Sequence, residues 1–160
     1  MPILFDQATK LFTLNTANTT YQMKVSDFAA LLHLYYGDSI DNMDIEYLYM
    51  NIDRAYAGNP EEVYPDRTIS FNVFPQEYTG YGVGDYRINS IALENEDGSR
   101  GADFRYVGYE IRKGKYSIPG LPATYCDDDE AETLVITLKD KVTELYVELI
   151  YGVFNKKDII

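Results

Sequence analysis

The sequence predicts an all-β chain: an antiparallel β-sandwich with long loops and at most one short helix. Three observations predict it. Apolar residues recur with a period of two in several segments, the pattern of strands with one buried face. Gly and Asp punctuate those segments at short intervals, as turns between antiparallel strands require. No strand alternates with a long amphipathic helix, which excludes a doubly wound sheet or a complete barrel. At 160 residues the chain can bury one sizeable core, so residues 1–160 are expected to form a single domain.

The elements follow in order. Tyr21, Met23 and Val25 alternate with Thr20, Gln22 and Lys24, the signature of a half-buried strand. Residues 28–36 form an almost continuous apolar run closed by Gly37-Asp38; so short a run with two aromatics at its end reads as a strand covered on both faces. Residues 43–50 alone invite a helix, with Ile45, Leu48 and Tyr49 at spacings of three and four. From 51 to 87 the rhythm breaks. Pro60, Pro65 and Pro75 with Gly58, Gly80, Gly82 and Gly84 make a long irregular segment, which inside a compact domain usually means functional loops. Its tyrosines and phenylalanines argue against disorder. Residues 91–94, 103–112, 133–138 and 145–153 read as further strands, the last the most regular of all. Between the first two of these, Glu96-Asp97-Gly98-Ser99 reads as a hairpin turn, because Asp-Gly accepts positive φ at little cost.

Charge narrows the function. The chain has 26 Asp+Glu against 14 Lys+Arg, a net charge of -12. Binding to a nucleic-acid backbone needs clustered Lys and Arg, so nucleic acid is excluded as a partner. An anionic membrane surface is disfavoured for the same reason. The opening residues lack a basic region and a long apolar run, so no signal peptide is expected and a cytoplasmic location is the default. One cysteine, Cys126, and one histidine, His33, cannot build a multi-cysteine or multi-histidine metal site, and no cofactor or metal is expected. Four acids follow Cys126 and raise its thiol pKa, which argues against a nucleophile. That acidic run reads as a solvated loop. The Gly80–Asp85 glycines lack the helix that would open a phosphate cradle. His33 reads as a hydrogen-bonded structural residue.

Asp53-Arg54 and Asp66-Arg67 lie inside the aromatic irregular segment. Carboxylates and guanidinium forks beside ring faces are the groups that bind sugar hydroxyls. They are equally the composition of local ion pairs that hold a loop together. Spacing leaves both readings open, with an autonomous carbohydrate-binding module as one form of the first.

The order of motifs is more specific. Asp53-Arg54-Ala55-Tyr56-Ala57-Gly58-Asn59-Pro60, Asp66-Arg67-Thr68, Pro75-Gln76-Glu77-Tyr78 and Gly82-Val83-Gly84-Asp85-Tyr86-Arg87 resemble the N-terminal domain of the α-galactosidases (melibiases) of glycoside hydrolase family 36. The resemblance continues through Glu110-Ile111-Arg112-Lys113-Gly114-Lys115 and Pro119-Gly120-Leu121-Pro122-Ala123-Thr124-Tyr125, and it covers the opening from Ile3 to Gly37. It implies a β-sandwich of the supersandwich type, followed in the family by a catalytic (β/α)₈ barrel and a small β-domain. Both catalytic carboxylates of such retaining enzymes, about 5 Å apart, would lie in the barrel, so this chain is expected to be a catalytically silent fragment with no catalytic residue. The resemblance further implies packing on the enzyme's own barrel and on neighbouring subunits of a homo-oligomer. By that analogy Asp53 and Arg67 would touch an α-galactoside in a neighbour's active site. Asp66 would fix Arg67, and Tyr56 or Tyr64 would add a stacking face.

Overall fold

The structure, a computed structural model, describes residues 2–53, 58–63, 65–127 and 129–160. Its strands are β1 (Ile3–Asp6), β2 (Leu11–Asn15), β3 (Thr19–Val25), β4 (Leu31–Asp38), β5 (Phe104–Lys113), β6 (Ala131–Asp140) and β7 (Tyr146–Phe154). Each pairs antiparallel with its neighbour in sequence, giving one sheet β1-β2-β3-β4 and a second β5-β6-β7. The expected all-β antiparallel architecture is the observed one.

The two sheets meet over one core. Phe12, Leu14 and Met23 from the first sheet pack with Leu134, Ile136, Leu138 and Val153 from the second. Side chains buried this completely each contribute about 1.5–3 kcal/mol by leaving water. Tyr109 of β5 reaches across to Phe5 and Phe12, at ring separations of 4.5 and 5.2 Å.

Strand β3 was expected to present Thr20, Gln22 and Lys24 to solvent. All three are instead buried, because the chain after β4 folds back over that face. Thr13 and Gln22 hydrogen-bond there, Thr13 to Asn42 and Gln22 to the Met43 carbonyl. The Lys24 ammonium meets Asp44 at 2.5 Å and also Glu46. Burial pulls its pKa down, but the two carboxylates outweigh it and the net shift is upward. Farther along, Ala30, Leu32, Val63, Phe71 and Phe74 form a second apolar cluster under the same covering segment. A polar face of a sheet can thus be an inner face when most of its polar groups find partners; here the Gln22 Oε1 is buried without one.

Other elements depart from expectation in instructive ways. The apolar run 28–36 becomes strand only from Leu31, because Ala29 adopts φ 58° in the turn that reverses β3 into β4. A bulge then shifts the register: Gln22 faces Tyr35 and Met23 faces His33. The extra residue puts His33 and Tyr36 on one side, against Tyr21 at 5.0 and 5.9 Å, and breaks the two-residue period. Cover on both faces extends only to Leu31 and Leu32; Tyr36 is exposed. Of the helix expected over 43–50, a single 3-10 turn forms at Glu46–Leu48. Residues 91–94 are not a strand. Ile91 and Leu93 do pack on the core, but no neighbouring strand ladders with them. A turn does form after them, with Gly98 at φ 80°, but it joins no pair of strands and is not the expected hairpin. Strands β1 and β2 were not anticipated, being too short to show a period. Among the described residues no helix is long and apolar enough to cross a membrane.

Candidate loop site

The irregular segment has a clamped root and an open tip. At the root, Arg105 projects from β5 and donates to Asp103 at 2.5 and 2.9 Å and to the Phe28 carbonyl at 2.7 Å. It also lies 3.4 Å from Glu62 and 4.6 Å above the Phe71 ring. Lys141 donates to the same Glu62 at 2.6 Å and, ahead of Arg105, holds its carboxyl below the ordinary range. One guanidinium thereby ties the second sheet to the segment that covers the first.

Arg87 makes the second clamp. It donates to both Asp85 oxygens, at 2.9 and 2.6 Å, and to the Phe71 and Phe74 carbonyls at 3.0 and 2.8 Å. Gln76 adds a donor to Asp85 at 2.8 Å. Burial would push the Asp85 carboxyl up, but Arg87 and Gln76 outweigh it and hold it below the carboxylate range. Asn59 closes the arrangement by donating to the Ile69 carbonyl and accepting from the Phe71 amide. Gly84 sits here at φ 78°, where a Cβ would approach Phe71 to 3.1 Å and both Asn59 and Pro60 to 3.2 Å. The Gly80–Asp85 stretch therefore packs against the clamped root, and no helix opens after it.

At the tip, Asp53 and Arg67 meet at 2.9 Å, with side chains 65% and 58% exposed. The structure thus brings together two of the predicted site residues from distant places in the chain. It assigns the third differently. Asp66 does not hold Arg67; its Oδ1 accepts from the Thr68 amide at 2.9 Å and hydroxyl at 2.6 Å, and both bonds lower its pKa. An aspartate followed two residues later by a threonine closes this local loop in preference to a side-chain pair with its neighbour. Tyr56, Arg54 and Tyr64 lie outside the described residues. The exposed rings described on this segment are Tyr81 and Tyr86, edge to face at 6.2 Å.

The sequence reading missed the clamps, although a signal existed: Asp85 and Arg87, then Asp103 and Arg105, repeat one Asp-x-Arg spacing. It also missed Glu77, which joins the two sheets. Tyr21 of β3 lies 2.7 Å from both of its carboxylate oxygens, and Tyr151 of β7 lies 2.7 Å from one. Burial first and the adjacent Glu77 second push both phenols well above their ordinary value. His33 stands 3.9 Å from the same carboxylate, beyond hydrogen-bond reach, so the hydrogen bond expected of its side chain is not made to it.

Cys126 has its thiol pKa raised, by desolvation and then by Glu130, the direction its acidic neighbours implied. Among the described residues no group of three or more His, Cys, Asp or Glu could hold a metal.

With this geometry in place, comparison with known proteins gives a consistent picture. A family profile described as "Glycosyl hydrolase family 36 N-terminal domain" matches residues 29–160. The bifunctional alpha-galactosidase/sucrose kinase AgaSK of Mediterraneibacter gnavus is 45% identical over 160 residues, covering 100% of this chain and 17% of its own length. Alpha-galactosidase Mel36A of Lactobacillus acidophilus is 36% identical over 160 residues, 99% of this chain and 22% of that protein. The solved galactosidase domain of AgaSK superposes with a TM-score of 0.91 over 96% of this chain and 21% of that one. A Geobacillus stearothermophilus alpha-galactosidase, AgaA, solved as a variant with raffinose, superposes at 0.85 and 36% identity over 92% of this chain and 20% of that one. The chain therefore spans about a fifth of the length of the relatives it matches, and it belongs to glycosyl hydrolase family 36, whose N-terminal domain it carries.

Proposed function

We propose that this chain is the non-catalytic N-terminal part of a cytoplasmic retaining α-galactosidase acting on terminal α-galactosides of the melibiose and raffinose type. In this reading it helps assemble the oligomer and presents the Asp53–Arg67 tip to a neighbouring subunit's active site. The observation that carries it is the pairing of relatedness with geometry. The relatives are named alpha-galactosidases along the whole length of the chain, and the paired tip is an exposed part of a segment whose root is clamped to the sandwich. A carboxylate and a guanidinium side by side offer acceptors and donors in fixed relation, suited to adjacent sugar hydroxyls. The retaining reaction needs two carboxylates flanking the scissile bond about 5 Å apart, and these belong to the barrel domain of the longer enzyme.

Two measurements test the reading. Incubated with an aryl α-galactoside, the 160-residue chain turns over no faster than a heat-killed control; clear turnover would place the chemistry here and overturn the assignment. In the full-length hydrolase, Arg67→Ala lowers kcat/KM about ten- to a hundredfold, the loss expected for a hydrogen bond to a charged group. An unchanged kcat/KM with an intact oligomer removes Arg67 from the site.

A further inference from the structure

A groove of about 550 Å³ is lined by residues of β3 and β4 from the first sheet and of β7 from the second. Its lining is rich in tyrosine. Tyr21, Tyr36 and Tyr151 come from those three strands, and Tyr116 follows β5. The rings hold one another in place: Tyr21 lies 5.9 Å from Tyr36 and 6.4 Å from Tyr151. Glu77 accepts from the Tyr21 and Tyr151 hydroxyls, so those two rings are tethered as well as packed. Tyr116 is seated by its amide, which donates to the Thr133 hydroxyl at 3.0 Å. The glycine in β7 makes room for its ring: a Cβ on Gly152 would come within 3.3 Å of it. Tyr36 keeps an open face, being 62% exposed. Asp158 supplies the carboxylate of the lining. It accepts from the Asn18 side chain at 2.9 Å, the Thr16 hydroxyl at 2.8 Å and the Asn18 amide at 2.7 Å, and these bonds hold it below the ordinary carboxylate range. A groove fixed in this way before binding loses little conformational freedom when a ligand arrives.

We propose that this groove binds a neutral saccharide, with one sugar face laid on the Tyr36 ring and a hydroxyl donating to Asp158. Three features select that class of ligand. Charge is the first. Asp158, the nearby Glu77 and the net charge of -12 repel an anion. The Lys115 ammonium already lies 5.0 Å from the centre of the Tyr116 ring, so an organic cation seeking ring faces would meet a like charge in place. Surface chemistry is the second. Tyrosine rings offer flat apolar faces and the carboxylate accepts from hydroxyls, and a saccharide presents both kinds of surface in one molecule. Size is the third: the volume falls within the roughly 300–1,000 Å³ of small-molecule sites, which suits a di- or trisaccharide. The groove shares no residue with the Asp53–Arg67 tip. Only the choice of raffinose as the probe rests on the galactoside reading above.

Titration of the isotope-labelled 160-residue chain with raffinose, followed by NMR, tests it. Saturable shifts of the groove residues are expected, with a Kd of about 0.1–10 mM. Tyr36→Ala weakens binding about fivefold or more, whereas Tyr36→Phe, which keeps the ring face, stays within about twofold. Tyr47→Ala removes a ring that is 80% exposed elsewhere and leaves the constant within about twofold. All these positions are exposed, and the dispersion of each spectrum confirms a folded variant. Maltotriose, which lacks galactose, binding the groove more tightly than raffinose would uphold the saccharide site and remove only the galactoside preference. No saturable shift with either sugar up to about 100 mM overturns the proposal. Shifts that Tyr36→Ala and Tyr47→Ala weaken equally overturn it too, as does tighter binding of choline. Shifts that Arg67→Ala abolishes and Tyr36→Ala spares put the sugar at the loop tip, which overturns the groove and leaves the galactoside reading standing.

Discussion

Asp103–Arg105 and Asp53–Arg67 are the same two side chains at opposite extremes of exposure, 12% and 8% in the first pair against 65% and 58% in the second. Asp85–Arg87 stands between them at 5% and 39%. In the buried pair the guanidinium has further partners in the Phe28 carbonyl, Glu62 and the Phe71 ring. Few of its donors are left over, and the pair serves as a cross-brace between sheet and loop. At the tip the Asp53–Arg67 ion pair lies in reach of solvent, where its charges are screened. Residue type does not decide whether an Asp–Arg pair holds a fold or meets a ligand. Burial does.

The sharpest way to break this comparison is at the buried end. Arg105→Met strands the Asp103 carboxylate in a largely dry site and removes the donor to the Phe28 carbonyl. Loss of one partner of a buried pair costs about 3–5 kcal/mol, read as a lower urea midpoint with an unchanged slope. Replacing both partners, Asp103→Asn with Arg105→Met, recovers part of that loss because no charge is left unpaired. A single-variant cost below about 1 kcal/mol would reduce this brace to the status of a surface pair.

Arg87→Lys comes next, at about 1–2 kcal/mol. Lysine keeps the charge but cannot hold both Asp85 oxygens and two carbonyls with one planar fork, while the partial exposure of Arg87 lets water replace some of the loss. The same pair sets an acid limit. The folded Asp85 carboxyl titrates below its unfolded value, so its contribution is fully present above about pH 4 and is lost as pH falls through the lower folded value. Asp140 behaves alike: burial raises its pKa, but the amides of Thr143, Asp103 and Val142 and the Thr143 hydroxyl outweigh burial and lower it. Thermal unfolding followed from pH 6 down to 2 should show a falling midpoint in the acid range, and Asp85→Asn should flatten that fall while lowering the plateau. A variant with an undiminished acid slope would remove Asp85 as a contributor.

How much of this was legible beforehand follows the range of the interactions. Strands β3, β5, β6 and β7 announce themselves because their apolar period reports local geometry. Residues 91–94 show the same alternation, and Ile91 and Leu93 do turn inward; what the pattern cannot report is whether a partner strand lies alongside. The burial of Lys24 was illegible for a related reason, since Asp44 and Glu46 that neutralise it sit on a segment whose return path is not written in period two. At the site, composition pointed only to the neighbouring pairs Asp53-Arg54 and Asp66-Arg67, and it was the family resemblance that singled out Asp53 and Arg67. The same analogy took Asp66, the sequence neighbour, as the anchor of Arg67. The actual partner of Asp66 is Thr68, one position farther on. Glu77, with donors from β3 and β7, depends on two contacts across the whole sandwich and left no trace in spacing.

The smallest expected effect on stability is the most informative. Arg67→Ala removes an ion pair whose members are both more than half exposed, and exposed pairs contribute about 0–1 kcal/mol, often nothing measurable. The urea midpoint of the 160-residue chain should therefore move by no more than about 0.5 kcal/mol in free-energy terms, and adding salt to the wild type should change it equally little. In the full-length hydrolase the same substitution should lower kcat/KM as stated above, with Arg67→Lys restoring less than the stability data alone would suggest, because a point charge cannot reproduce a fork aimed at two hydroxyls. A residue that braces the fold cannot behave this way: its removal would depress the urea midpoint first and turnover only in proportion to the unfolded fraction. If Arg67→Ala instead costs as much stability as Arg87→Lys, the tip is a third clamp, and the division between a braced root and the tip proposed to meet a ligand disappears.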